Sequence, residues 1–137
     1  MKTFFDSAAF AKRYVEEPGS DVVDALCATA AELALSVVCI PEIVSALNRR
    51  LRERSLSARQ YRTAKDSLFE DIHDAAIVNL TADVISSCTT ILEENPVRAM
   101  EALHIACALR WGAELFVSAD QREVSAARKA GLRTRLI

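Results

Sequence analysis

The feature that most constrains this chain is a regular alternation. Short apolar runs of strand length are separated by longer segments whose apolar residues recur every three or four positions. Thr3 to Phe5, the first half of Leu33 to Ile40, Ala76 to Leu80, Leu115 to Ser118 and Arg133 to Ile137 read as strands. Between them lie helical stretches: Ala8 to about Val15, Asp21 to Ala31, the segment behind Pro41, Ser57 to about Ile72, Thr81 to about Asn95, Val97 to Trp111, and 121–130. Behind Pro41, Ile43, Leu47 and Leu51 repeat every four residues, which marks one buried helix stripe. Ser7, Ser57 and Thr81 are placed to cap their helices, Pro41 to open one, and Gly112 to stop one. Strands that alternate with helices form parallel sheets covered on both faces. The expectation is an α/β fold, a three-layer α/β/α sandwich with a mainly parallel central sheet, as one domain over 1–137.

Composition narrows the possibilities. Apolar residues make up 51% of the chain, enough for a sizeable core, and 17 basic against 19 acidic residues leave a net charge of −2. That balance excludes a protein that coats nucleic acid by bulk charge. The charge is uneven, however: residues 49–65 hold seven basic side chains and one acid. The cysteines, Cys27, Cys39, Cys88 and Cys107, form no CxxC pair and three sit in apolar runs, so buried, reduced thiols are expected. The opening apolar run is too short for a signal peptide, and no stretch approaches the ~20 residues of a membrane span, so a cytoplasmic protein is expected.

Four acids stand where an α/β fold gathers ligands, beyond the carboxyl ends of its strands. Asp6 ends the first strand, Asp120 lies two residues past Ser118, and Glu42 sits on the first turn of a helix that follows a strand. Glu101 opens a helix whose next eight residues contain one polar side chain, His104. A carboxylate at the start of so apolar a helix needs a partner. Arg98, one turn earlier, or a cation can supply it. Carboxylates sharing a cleft repel one another unless a cation intervenes, and hard ions such as Mg²⁺ and Mn²⁺ suit an all-oxygen cage. Hydrolysis of a phosphodiester is a natural use of such a site.

The same positions carry a resemblance. Phe4-Phe5-Asp6-Ser7, followed by an apolar stretch ending in Lys12-Arg13-Tyr14, resembles the opening of PIN domains. Ser36 to Arg49, with Glu42 six residues after Ser36, is similar to the family's second motif. Arg98 to Ala106 is similar to the third and Phe116 to Asp120 to the fourth. By length and by the Lys12-Arg13-Tyr14 and His104 neighbourhoods, the chain looks most like the VapC-type toxins of toxin–antitoxin pairs. The resemblance implies a Mg²⁺- or Mn²⁺-dependent endoribonuclease acting on RNA, a homodimer, and a cognate antitoxin that blocks the cleft. It implies that Asp6, Glu42, Glu101 and Asp120 are the catalytic, metal-binding acids and that Ser7 and Ser118 are supporting hydroxyls. Position 101 departs from the pattern, holding Glu where the family usually has Asp. The alternative is therefore a catalytically weak or inactive PIN-like binding module that acts through its antitoxin or dimer partner.

Arg49, Arg50 and Arg52 are candidates for contact with RNA or antitoxin, because Glu42, Ser45 and Arg49 fall on one helix face and the basic stretch begins at Arg49. His104 is expected to be a buried, hydrogen-bonded histidine rather than a general base.

Overall fold

Phe4 and Phe5 are adjacent, fully buried, and belong to two different cores, which is how a strand buried on both faces must divide its side chains. The computed structural model describes residues Met1–Ile137. Five strands, β1 (Lys2–Phe5), β2 (Glu32–Ser36), β3 (Ala76–Val78), β4 (Leu115–Ser118) and β5 (Thr134–Leu136), form one sheet in the order β3-β2-β1-β4-β5. Every neighbouring pair is parallel. The expected α/β/α sandwich is the observed architecture.

The helices are α1 (Ser7–Ala11), α2 (Ser20–Thr29), α3 (Cys39–Arg52), α4 (Ala58–Asp74), α5 (Ala82–Glu94), α6 (Ala99–Trp111) and α7 (Gln121–Lys129). Phe5, Leu35 and Val117 face α1 to α4, where Phe10, Val23, Ile43, Leu47 and Leu68 complete one core. Phe4, Ala34 and Phe116 face α5 to α7, packing with Val84, Ile91, Ile105 and Ala127. Each large apolar side chain so buried contributes about 1.5–3 kcal/mol. Buried residues run almost continuously from Ala102 to Ala108, so α6 is covered on most sides, as its composition requires.

Several local expectations are corrected. Asp6, not Ser7, caps α1: its Oδ1 accepts from the Ala9 N–H at 2.7 Å. The helix ends at Ala11 rather than near Val15. There Arg13 turns to bridge Asp24 and Asp71, and the Tyr14 hydroxyl donates to Asp71 at 2.6 Å. The Arg-Tyr pair thereby ties the end of α1 to α2 and α4. The helix containing Pro41 begins two residues earlier, at Cys39. Ser57 and Thr81 cap as expected.

The sheet order fixes where a site can form. The chain leaves β1 toward β2 and β3 on one side and returns to place β4 on the other. Connections depart in opposite directions at this switch point, opening a crevice beyond the carboxyl ends of β1 and β4.

Candidate active site

Asp6 ends β1 at that crevice, and its backbone N–H donates to Val117 O of β4 at 3.0 Å. Asp120 follows β4 and caps α7, its Oδ1 accepting from the N–H groups of Arg122 and Glu123. Glu42 lies on the first turn of α3 and Glu101 on the first turn of α6. All four acids line one cleft of about 160 Å³, together with Ser7, Ala8, Met100, His104 and Glu123. Every acid in it is a helix cap or a first-turn residue. Helix N-termini favour negative charge by about 0.3–1 kcal/mol each, which offsets part of the mutual repulsion.

The acids share the cleft that the sequence suggests, but their side chains do not close around one point. No three acidic, imidazole or thiol groups stand close enough together to hold an ion as they are. The reason is local: each carboxylate is tied to its own helix or its neighbour. Asp6 and Asp120 are committed to caps. Glu101 Oε2 accepts from the Arg98 backbone N–H at 2.9 Å, and its Oε1 meets the Arg122 guanidinium at 3.4 Å. Arg122, rather than the Arg98 side chain, is therefore the cation beside Glu101. It also reaches Asp120 Oδ2 at 3.6 Å.

On the β2 side of the cleft, Glu42 Oε1 accepts from the Ser7 hydroxyl at 2.6 Å and meets His104 Nε2 at 2.7 Å. Ser7 Oγ and the same Nε2 are 3.1 Å apart. Desolvation works to raise the Glu42 pKa, but the His104 and Ser7 hydrogen bonds outweigh it and hold the carboxyl below the usual glutamate range. Serine, histidine and glutamate thus meet, but not in the order of a nucleophilic triad. There the carboxylate and the hydroxyl occupy opposite ring nitrogens; here both are on Nε2. His104 is 3% exposed, a buried and hydrogen-bonded histidine.

On the α7 side lies an acid that the motif reading missed. Glu123 is 3% exposed, and its Oε1 has no partner. Burial, then the adjacent Asp6, then Glu101 and Asp120 push its pKa up to about 11. As a carboxylate, Oε1 would face no donor, and the neighbouring Asp6 adds to the cost of its charge. Asp120 contrasts with it. Partial burial acts against its charge, but the Glu123 and Arg122 N–H groups and the Arg122 guanidinium hold its pKa below the usual range. A signal for Glu123 was present: Asp120-x-x-Glu123 has capping-box spacing. In a completed box the Glu reaches back to the cap's N–H. Here Ser118 Oγ takes that N–H at 3.0 Å, and Glu123 is left to turn inward. Ser118 is fully buried, so its hydroxyl shapes this turn and reaches Glu123 Oε2 at 3.5 Å rather than opening on the cleft.

Lys12, Arg49 and Arg50 line an adjoining groove of about 220 Å³ that shares Ala8 with the acidic cleft. Arg50 is paired with Glu17 at 3.4 Å, while Arg52 lies exposed at the end of α3, outside the groove.

A family model described as the PIN domain matches residues 3–130. Among solved structures, VapC20 of Mycobacterium tuberculosis, described as a Sarcin-Ricin loop cleaving toxin, superposes with a TM-score of 0.70 at 18% identity over 95% of each chain. A chain of VapBC2 from Rickettsia felis, bound to a fragment of its promoter DNA, gives 0.70 at 12% identity over 100% of this chain and 99% of that one. A chain of a toxin–antitoxin complex from Klebsiella pneumoniae gives 0.68 at 13% identity over 90% of each. Identities this low show a shared fold. No curated protein sequence matches the chain.

Proposed function

Because the chain belongs to the PIN-domain family, matched over residues 3–130, we propose that it is a divalent-metal-dependent endoribonuclease, the toxin of a toxin–antitoxin pair. One observation carries the reading: five carboxyls from four separate stretches of the sequence line one cleft, and one of them, Glu123, is buried there with an oxygen that meets no partner. Arg122, at the rim, pairs with Glu101 and Asp120 alone, and burial together with the adjacent acids pushes the Glu123 pKa up.

The donor set fits a hard cation in chemistry, although its side chains must move to close around one. Asp6, Glu42, Glu101, Asp120 and Glu123 would hold the ion, Mg²⁺ or Mn²⁺. An ion there would activate water and neutralise charge building on the phosphodiester oxygens. The chain's own residues do the rest. Ser7 and His104 hold Glu42 ionised and in place. Lys12, Arg49 and Arg50 give a phosphate backbone a basic path that runs past Ala8 into the cleft. Charge reversal at Arg49, Arg50 and Arg52 should flatten the salt dependence of RNA binding, and an unchanged slope would remove them from the path.

The PIN relatives in toxin–antitoxin complexes support an antitoxin partner, and we extend the same expectation to a homodimer. No helix is long and apolar enough to cross a membrane. The deciding experiment is cleavage of total cellular RNA, with and without chelator, by the wild type and by Asp6→Ala. Chelator-sensitive cleavage lost in Asp6→Ala is expected. Cleavage indifferent to both would end this reading. The rival, a binding module without catalysis, draws on the dispersed acids and on Glu101 being tied to Arg98 and Arg122. Antitoxin binding with neither metal affinity nor cleavage would establish it.

A further inference from the structure

We infer that His104 is a positioning residue which, with Ser7, claims one oxygen of Glu42 and leaves the other as a single-oxygen cation ligand. The inference rests on the metal-site reading above but stands on separate geometry. Two contacts converge on Glu42 Oε1, from Ser7 at 2.6 Å and His104 Nε2 at 2.7 Å. An ionised carboxylate only accepts hydrogen bonds, so the hydrogen in the 2.7 Å contact between Oε1 and Nε2 belongs to Nε2.

The far side of the ring agrees. Nδ1 is buried with no partner. A buried N–H without an acceptor is costly, so Nδ1 carries the lone pair and Nε2 the hydrogen. The ring therefore has no lone pair facing Ser7 and cannot take the hydroxyl's proton. That proton goes to Glu42, and Ser7 is not a nucleophile. Glu42 Oε2, by contrast, has no protein partner, and the residue lines the cleft. The carboxylate is thus oriented before any ligand arrives, and one oxygen is available to it.

Direct binding of Mn²⁺ alone, followed by the electron paramagnetic resonance of the free ion, tests this on the full-length protein. Substituting partners behind a metal ligand lowers affinity by about 10–100-fold. His104→Leu should weaken Mn²⁺ binding by at least about tenfold. His104→Gln, whose amide can place a donor where Nε2 was, should recover part of that loss. His104→Asn, whose amide is too short to reach Glu42, should not. Melting temperatures identify variants that fail to fold. A folded His104→Leu with wild-type affinity, or a Gln variant as weak as Leu, overturns the inference. Imidazole ¹⁵N resonances of the metal-free protein provide a reading that needs no metal. A protonated Nε2 and bare Nδ1 are expected, shifting in Glu42→Gln; a protonated Nδ1 overturns the inference even if cleavage is metal-dependent. Wild-type protein that takes up no Mn²⁺ sinks the metal-site reading and the ligand role of Glu42 with it, whereas the nitrogen resonances judge the His104 hydrogen bond alone.

Discussion

Glu42 and Glu123 face the same cleft, yet one is held below the usual range and the other far above it. Burial penalises both charges. They differ in depth, Glu123 being the more buried, and in what surrounds them. Glu42 meets two hydrogen-bond donors, Ser7 and His104. Glu123 meets a weak contact with Ser118 and three other acids. Depth and donor supply together decide ionisation here, and the cleft is divided into a half that has its donors built in and a deeper half that lacks them. The deficient half is where a cation would change most.

The largest expected effect comes from Asp6→Asn, which keeps the shape and removes the charge pressing hardest on Glu123. RNA cleavage should fall by about 10³-fold, a loss of ~4 kcal/mol in transition-state stabilisation. The Glu123 pKa should fall with it, as followed by carboxyl ¹³C shifts. A Glu123 titration indifferent to Asp6 would break the comparison at its centre.

Glu123→Gln comes next. The native pKa is raised to about 11, whereas an unfolded glutamate titrates near ~4.3. Between those values the native state holds the extra proton, so wild-type stability is full below about pH 4 and declines as pH rises toward 11. Gln carries no such proton. The variant should match the wild type near pH 4 and become increasingly the more stable of the two as pH rises toward 9, read from urea midpoints. A difference that does not change with pH would assign the proton elsewhere. On the same logic, Mn²⁺ uptake in weak buffer at pH 8 should release about one more proton from the wild type than from the variant.

Ser7→Ala tests the well-supplied half. One donor is lost, so Glu42 should titrate nearer its ordinary value and stability at pH 7 should drop by about 1 kcal/mol. A carboxyl with a lowered pKa stabilises above its unfolded pKa and loses that contribution as pH falls through the native one. The deficit of Ser7→Ala should therefore shrink below about pH 4; a constant deficit in thermal melts would mean that Ser7 acts through packing. Arg122→Ala should do least, because the side chain is half exposed and its ion pairs are screened: about 0.5 kcal/mol or less, vanishing in high salt.

Much of this division was hidden in the sequence, for reasons that differ by residue. The layered fold was legible because Phe4-Phe5, Ala34-Leu35 and Phe116-Val117 are apolar on both faces of their strands. Asp6 and Asp120 were placed at one rim by element order alone, Glu42 by its place on the first turn of a helix after a strand, and Glu101 was singled out by the apolar helix it opens. What could not be read was which hydrogen-bond partner each side chain would choose. Asp6 and Ser7 are both good caps, and the first in line took the role. Arg98 was near Glu101 in sequence, but Arg122, 21 residues on, is the ion-pair partner. Nothing in the sequence marks Glu123 as buried, because it is Ser118 taking the Asp120 N–H that denies it the capping position at the surface.

The sheet order also bears on when the cleft can exist. β4 pairs with β1 at the middle of the sheet, yet it is made after four-fifths of the chain. Asp6 waits from the opening residues until Asp120 and Glu123 have been synthesised. During translation the acids cannot come together until the last strands leave the ribosome, so a prematurely terminated fragment carries the front of the site with nothing to close it.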